Sequence, residues 1–265
     1  MRRLAILLLL AWSMGAYAQL SVVVQDLTIE GAEALPAQER QQIVRDVRSH
    51  YFRTDQLEGI AEIVRLAFQD RGYFFVEVDD PRITEAGSYA PRQKVDVVVS
   101  VRPGQKYRLA EISFSGNKAF SDEQLRSTFA ITDGDVFSRS TIGKGLEELR
   151  KLYGTRGYLN FTAVPDTEPD VPNRHVALHV DCDEGQQFRF GELILDGIEP
   201  YAGAGNQVLT DWRWYRGKVF DAREFELFLV RHRKIFGTDP RTEDRDPHDG
   251  SMNVVIYFDE SVARN

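Results

Sequence analysis

The sequence predicts an α+β protein made of tandem units, each with two helices packed on a small mixed three-stranded sheet. The first observation is a repeat of landmark glycines: Gly104 and Gly185 are 81 positions apart, and so are Gly116 and Gly197. The second is the order of the segments between them, where helical and alternating apolar patterns follow one another as β-α-α-β-β. A repeat of this length indicates an array of similar domains.

The first repeat covers residues 19–106. Its expected elements, in chain order, are a strand over 20–30 closed by Gly31, a helix from Pro36, a helix capped by Thr54 and ended at Gly72-Tyr73, and two alternating strands over 73–78 and 95–101. We expect a Pro- and Gly-containing loop, 81–91, to join the last two strands.

The second repeat covers residues 107–187 and follows the same order. The Gly72-Tyr73 motif recurs as Gly157-Tyr158, at the offset of 85 positions that also separates Gly31 from Gly116. Its helices are expected to begin after the capping residues Ser121 (with Gln124) and Ser138 or Ser140. The glycines are interpreted as left-handed helix ends and turns, and the tyrosines as packing residues, so the motif is structural.

The third repeat, 188–265, begins in the same way and then departs from the pattern. Asp221 and Glu224 are expected to cap its second helix. Residues 237–250 read as an acidic loop without alternation, so only one terminal strand, 252–258, is predicted. The sequence therefore predicts an incomplete third unit whose sheet lacks its usual edge strand.

Residues 1–18 have the features of a secretory signal peptide. Arg2 and Arg3 precede an apolar run centred on residues 7–10, and Ala16 and Ala18 form a small-residue cleavage site. The apolar run is shorter than the ~20 residues of a membrane-spanning helix. We therefore expect an exported mature chain with no membrane span after cleavage.

Composition argues against a nucleic-acid-binding protein and against an intrachain disulfide. Loss of residues 1–18 removes two arginines and no acid, which changes the formal net charge from −8 to −10 and argues against nucleic-acid binding. Cys182 is the only cysteine, so no intrachain disulfide is expected. It alternates with Val176, Leu178 and Val180, which predicts a buried hydrophobic residue rather than a reactive thiol.

Tandem β-α-α-β-β units after a signal peptide resemble the POTRA domains, the polypeptide-transport-associated modules of outer-membrane assembly and two-partner secretion proteins. The resemblance rests on Gly31 and Gly116, on Arg-Gly-Tyr at the end of the second helix, and on Pro-Gly-Gln or Glu-Gly-Gln after the last strand. It implies a non-enzymatic periplasmic docking module associated with the outer membrane. The implied partners are an outer-membrane β-barrel protein or unfolded outer-membrane clients.

Strand addition to an exposed sheet edge is the binding mode we expect, because backbone pairing makes little demand on the client's sequence. The expected client contacts are Phe75 and Glu77 in the first repeat, Asn160 and Thr162 in the second, and Val255 and Tyr257 in the third. The terminal strand is expected to be an open edge for a partner or for self-association. No membrane barrel follows the third repeat, so we expect action on a separate barrel or a free-standing role.

Other chemistry is less well supported. His175 and His179 lie on a predicted strand, where four residues span ~13 Å, too far for one metal ion. The acidic loop with Asp244, Asp246 and Asp249 lacks the glycine and the glutamate that a calcium-binding loop has at fixed positions. Its acidic side chains leave weak calcium binding as an open alternative. His232 is expected at the margin of the core. We expect no metal site and no cofactor. The alternatives are a scaffold for envelope structure or division and, ranked lower, an unrecognised hydrolase.

Overall fold

The structure is a computed structural model that describes residues 21–89, 92–197, 202–236, 241–245 and 250–257. The chain divides into two compact units, each described here by itself. The first contains the described residues up to Phe68 together with Phe75–Gly104, and the second contains Gln69–Phe74 and the described residues from Gln105 onward. The predicted signal peptide lies outside the described residues.

The first compact unit is a five-stranded mixed sheet with two helices. Its elements are β1 (Ser21–Glu30), α1 (Ala37–Ser49), β2 (Tyr51–Arg53), α2 (Gly59–Gln69, whose last residue belongs to the second unit), β3 (Glu77–Val78), β4 (Arg82–Tyr89) and β5 (Arg92–Arg102). The strand order is β2-β1-β5-β3, and β4 also pairs with β5. Strands β1 and β5 are parallel, whereas β3 and β4 are antiparallel to β5.

Alternation of side chains explains which face of this sheet is buried. The buried residues of β5 occupy every second position, and those of α2 recur at helical spacing. They are Val95, Val97, Val99 and Val101 on the strand, and Ile60, Ala61, Val64 and Phe68 on the helix. The sequence predicted both elements from this periodicity.

Three expectations for the first repeat are wrong. The predicted loop over 81–91 contains β4, whose described side chains are largely exposed and so show no apolar alternation. Only Glu77 and Val78 of the predicted strand 73–78 pair with β5, because the backbone is still turning at residues 71–72 and 74–75, with a φ of +86° at Gly72. Thr54 begins a short 3-10 helix, Thr54–Gln56, and α2 starts only at Gly59.

The second compact unit begins its first sheet after Gln105. The elements are β6 (Arg108–Ser115), α3 (Asp122–Arg126), α4 (Arg139–Gly154), β7 (Thr162–Asp170) and β8 (His175–Asp183). The strand order is β6-β8-β7, with β6 parallel and β7 antiparallel to β8. Strand β7 carries Pro165 and Pro169 within its ladder.

Both predicted helix caps of the second repeat are confirmed. Ser121 and Gln124 form a reciprocal capping box at α3, and the Ser138 hydroxyl accepts a hydrogen bond from the Thr141 backbone N–H at α4. A further cap comes from a distant residue. The Asp70 carboxylate accepts bonds from the Ser140 N–H at 2.7 Å and from the Ser138 hydroxyl at 3.2 Å.

The last sheet of the second compact unit follows Phe188. Its elements are β9 (Arg189–Asp196), α5 (Ala202–Trp212), α6 (Ala222–Arg231), α7 (Arg233–Phe236), β10 (Arg241–Arg245) and β11 (Ser251–Tyr257). Its core is dominated by aromatic rings, among them Phe190, Trp212, Tyr215, Phe220 and Phe228. The expected cap at Asp221 is confirmed by a bond from the Arg223 N–H at 2.9 Å.

The expectation of an incomplete third sheet is wrong. Strand β10 pairs antiparallel with β11, and β11 pairs parallel with β9, so the order is β10-β11-β9. The missing strand lies inside the segment that was read as an acidic loop. Its sequence, Arg-Thr-Glu-Asp-Arg, has no apolar position, and a strand without apolar residues leaves no periodic signal.

Candidate functional site

The candidate binding surfaces are the outer edges of three equivalent strands, one in each repeat and each considered by itself. These strands form the longer antiparallel pairing with the last strand of the repeat: β4 with β5, β7 with β8, and β10 with β11. In the first repeat the short strand β3 also pairs antiparallel with β5. We call these three strands the hairpin edge strands. Among the described strands, β4, β7 and β10 each pair with that one neighbour.

Of the predicted contact residues of the first repeat, Glu77 lies on an edge strand, β3, and Phe75 lies just before that strand. Phe75 is in a turn before β3 and is 49 % exposed. Glu77 is in β3 and accepts a 2.8 Å bond from Arg102, which also pairs with Asp79 at 2.7 Å. The hydrogen bond from Arg102 is the main cause of a lowered pKa for the Asp79 carboxyl.

The predicted contact residues of the second repeat mark the start of β7. Thr162 is its first residue and faces Asp183 across the ladder. Asn160 lies in the turn before the strand and is exposed. Sequence reasoning therefore located the beginning of this edge but missed its body, Ala163–Asp170.

The predicted contact residues of the third repeat do not lie on an edge. Val255 and Tyr257 belong to β11, which has β10 on one side and β9 on the other. Val255 is only 1 % exposed. The expectation of an open terminal strand is therefore wrong, because β10 covers the edge that the sequence left unpaired.

An apolar groove runs beside β7, on the side that faces α4. It encloses about 360 Å³ and is lined chiefly by Phe74, Phe137, Ile142, Leu146, Pro165 and Leu178. The Phe74 and Phe137 rings meet edge to face at 5.3 Å between centroids. The groove therefore presents aromatic and aliphatic surface next to the backbone of an edge strand.

The left-handed conformation predicted for Gly72 and Gly157 is confirmed and extends to the other landmark glycines. All of them adopt positive φ: Gly31, Gly72, Gly104, Gly116, Gly157, Gly185 and Gly197. Crowding adds a second requirement at Gly157, where a methyl group would lie 2.5 Å from the carbonyl oxygen of Phe188. Tyr73 is buried and Tyr158 is half-buried, with the Tyr158 ring 5.8 Å from that of Tyr153.

The start of each sheet in the second compact unit repeats one set of hydrogen bonds. The Arg108 guanidinium donates to the Gly134 carbonyl at 2.6 Å, and Arg189 donates to Gly217 at 3.0 Å. The first strand also forms an isolated antiparallel bridge in both cases, Arg108 with Val136 and Arg189 with Val219. The repeat therefore extends to hydrogen-bond detail.

Glu184 is a structural residue that sequence reasoning passed over. Its Oε1 atom accepts bonds from the Lys118 N–H at 2.7 Å, the Ala119 N–H at 2.8 Å and the Tyr153 hydroxyl at 3.1 Å. One carboxylate thus connects the end of β8 with the loop after β6 and with α4. The only sequence signal was its place in the Glu-Gly-Gln motif.

Comparison with known proteins identifies the family. The POTRA family model, described as "Surface antigen variable number repeat", matches residues 22–104 and 107–185. These two matches cover more than half of the chain. The chain belongs to the POTRA family. The first two repeats are therefore POTRA domains by sequence as well as by the order of their elements.

Individual POTRA relatives agree with this assignment. The chain is 21 % identical over 160 residues to "Outer membrane protein assembly factor BamA" of Neisseria meningitidis, covering 57 % of this chain and 19 % of that protein. It is 25 % identical over 176 residues to "Putative outer membrane protein assembly factor" of Treponema pallidum, covering 62 % and 20 %. The chain thus spans about a fifth of the length of these curated relatives.

A solved POTRA structure shows the same fold. The crystal structure of POTRA domains 3–5 of Haemophilus influenzae BamA matches with a TM-score of 0.67 and 20 % identity. The match covers 92 % of this chain and 99 % of the other. The predicted α+β fold class is confirmed.

A serine–histidine–aspartate cluster lies on the solvent face of the second POTRA sheet. His179 is 3.0 Å from the hydroxyls of both Ser113 and Ser115, and the Asp181 carboxylate accepts from Ser115 at 2.8 Å. A hydrolase triad needs the carboxylate on the histidine, where it orients the ring. Here the carboxylate is on a serine, so the cluster lacks the triad arrangement.

Burial dominates the titration of two neighbouring core groups. It raises the pKa of the Cys182 thiol to about 11. It also raises the pKa of the Tyr153 hydroxyl well above its usual range. Cys182 is the buried residue that its alternation predicted, and a thiol with so high a pKa is protonated near neutral pH.

His232 lies in the aromatic core of the third repeat, as expected. Its ring centroid is 4.6 Å from that of Phe228 and 5.9 Å from that of Phe236. Burial lowers the pKa of His232, although the Asp211 carboxylate, 3.3 Å from Nε2, acts in the opposite direction.

The two tryptophans of the third repeat have different environments. Trp212 is buried and donates from Nε1 to the Gly191 carbonyl at 3.0 Å. Trp214 is 73 % exposed, with the Lys218 ammonium 3.7 Å from its ring centroid. One tryptophan is thus a core residue, and the other lies at the surface.

Within the described residues, no group of three or more His, Cys, Asp or Glu side chains could hold a metal ion. Two members of the suggested calcium loop, Asp246 and Asp249, lie outside the described residues, and Asp244 belongs to strand β10. Among the helices of the described residues, none combines the length and the hydropathy that crossing a bilayer requires.

Proposed function

We propose that this chain is a non-enzymatic, chaperone-like docking module of the periplasm that serves outer-membrane protein assembly or secretion. It is exported by the signal peptide 1–18 and consists of three POTRA-like repeats, 19–106, 107–187 and 188–265. Its partners are an outer-membrane β-barrel protein or unfolded outer-membrane clients. No catalytic group or cofactor takes part in this function.

The observation that carries the proposal is the repeated pairing of the hairpin edge strands. Each pairs on one side only with a described strand, so the other side is where an extended segment can pair through the backbone. Backbone pairing supplies affinity with little dependence on side chains. This suits a module that handles many different unfolded chains.

The relatives support the assembly role through their names, which describe outer membrane protein assembly factors. The matched region is a small part of those proteins. Membership of the POTRA family therefore supports a docking role for this chain, with an outer-membrane β-barrel protein as the proposed partner.

The test is photo-crosslinking in the periplasm of the native host. A photoreactive residue is placed at Phe75 or at Asn160, beside the first two edges, and at Lys144 on the exposed side of α4 as a control. Capture of a barrel protein or of its unfolded precursors from at least one edge position, and not from Lys144, is the expected result. Capture of soluble envelope proteins alone would contradict the assembly role and favour a scaffold for envelope structure.

A further inference from the structure

Strand β7 differs from the other hairpin edge strands in carrying two prolines. Pro165 faces Val180 and Pro169 faces Val176 across the ladder with β8. Proline has no N–H to donate, and within sheets it occupies edge strands with its nitrogen towards solvent. Because alternate residues of a strand direct their backbone groups to the same side, positions 163, 165, 167 and 169 form the outward row.

Thr167 also belongs to this row, and its backbone N–H is unavailable to a neighbouring strand as well. Its backbone N–H lies between the two prolines and donates to the Asp166 carboxylate at 2.9 Å. Three successive outward positions therefore have no free donor, two because the residue is proline and one because a side chain occupies it. Ala163 alone, at the start of the row, retains an N–H for a neighbouring strand.

Strand β4, the equivalent strand of the first repeat, has no such block. Its sequence from Arg82 to Tyr89 contains no proline, so each residue retains an N–H. The pairing with β5 is regular over Arg82–Glu85, and a register shift follows between Glu85 and Gly87. A regular run of this kind is a template on which another strand can pair.

Both edges present an apolar side chain to solvent. Ile83 on β4 is 44 % exposed, and Val164 on β7 is 56 % exposed. The two strands differ in charge, since β7 carries three acidic residues and no base, whereas β4 carries one arginine and one glutamate. They differ also in the backbone donors, which are what strand addition uses.

We infer that β7 is closed to strand addition by Pro165, Thr167 with its Asp166 cap, and Pro169, and that an extended client segment pairs instead with β4. The inference rests on the proposed function and names the edge that performs it. The partner is an extended segment of alternating apolar and polar side chains, the pattern of a membrane-barrel strand.

The test uses the full mature chain and a synthetic peptide of about ten residues with that alternating pattern. A photoreactive residue at Ile83 or at Val164 reports pairing at each edge. The opened variant carries Pro165→Thr, Asp166→Ala and Pro169→Thr, which restores three outward donors with residues that suit a strand. Circular dichroism confirms that it is folded, and Asp166→Ala alone releases one donor while both prolines stay in place.

The wild type is expected to crosslink the peptide at Ile83 and not at Val164. The opened variant should crosslink at both, with a gain at Val164 of roughly tenfold or more for the restored backbone bonds. Asp166→Ala alone should give a smaller gain.

Two results would overturn the inference while leaving strand addition as the function: equal crosslinking of the wild type at both sites, or no gain at Val164 in the folded opened variant. Absence of crosslinking at Ile83 would overturn the assignment of β4. If that absence accompanies a gain at Val164 in the opened variant, the proposed function of the natural chain fails and the block on β7 stands.

Discussion

The backbone N–H of Phe188 donates to the carbonyl oxygen of Gly157 at 2.8 Å. The same bond occurs one repeat earlier, where the Tyr107 N–H donates to Gly72 at 2.7 Å. In both places the glycine ends the turn after a helix, and its partner is the aromatic residue that precedes the first strand of the following sheet. This bond requires the two backbone segments to approach closely, which makes the glycine irreplaceable.

Gly157→Ala is expected to destabilise the protein by about 3 kcal/mol or more, because a left-handed backbone is strained for alanine and the new methyl group meets the Phe188 carbonyl. Gly217→Ala is the matched control. Gly217 has the same φ, +79°, but no atom within 4 Å of the added methyl, so only the backbone strain of about 1–2 kcal/mol applies. Denaturant unfolding measures both, and equal losses would show that the close approach is unimportant.

Glu184→Ala should lower the free energy of unfolding by about 2 kcal/mol. The substitution removes the shared acceptor of the Lys118 and Ala119 N–H groups and of the buried Tyr153 hydroxyl. Glu184→Gln keeps an acceptor oxygen at the same place and should cost clearly less. The comparison is made by denaturant unfolding near neutral pH, and a glutamine variant as unstable as the alanine variant would count against this bonding role.

His232 should make the third repeat less stable in acid. Its pKa in the folded protein is lowered, chiefly by burial, so the unfolded chain binds the proton more tightly. The contribution of neutral His232 to the free energy of unfolding is therefore fully present above the pKa of an unfolded histidine, about 6.5, and is lost as the pH falls through the lower pKa of the folded protein. Fluorescence of Trp212, which packs on the same Phe228 ring, follows the unfolding.

The controls for this pH dependence are His232→Phe and Asp211→Asn. The first removes the titrating group from a site already lined by Phe228 and Phe236, so the loss of stability below about pH 6.5 should become smaller. The second removes the carboxylate that opposes the pKa shift and should make the acid loss steeper. An unchanged pH profile in both variants would assign the effect to another group.

Cys182 should react slowly with thiol reagents in the native protein. The thiol is buried and its pKa is raised to about 11, so little thiolate exists near neutral pH and little of it is accessible. Labelling with a chromogenic disulfide reagent should become rapid in denaturant. Equal rates in native and denatured protein would contradict the burial of this strand face.

The sequence alone was sufficient to predict the repeat, the helix cap at Ser121 and the buried strands β5 and β8, and it limited the cap of α4 to Ser138 or Ser140. In each case the information is local. A buried strand face alternates apolar and polar residues, and a cap needs a serine within three residues of the N–H that it binds.

Tertiary structure alone decided the edges. The described side chains of β4 and β7 are largely exposed, and the sequence of β10 has no apolar residue, so the three strands carry no periodic apolar signal. Their partners are chosen by backbone pairing across the sheet. The cap that Asp70 provides for Ser140 joins residues 70 positions apart. Strand β11 is the central strand of its sheet only because β10, a strand without an apolar pattern, pairs with it. Local pattern therefore determined the core of each repeat, whereas the edges on which the proposed function depends were decided by contacts between distant backbone segments.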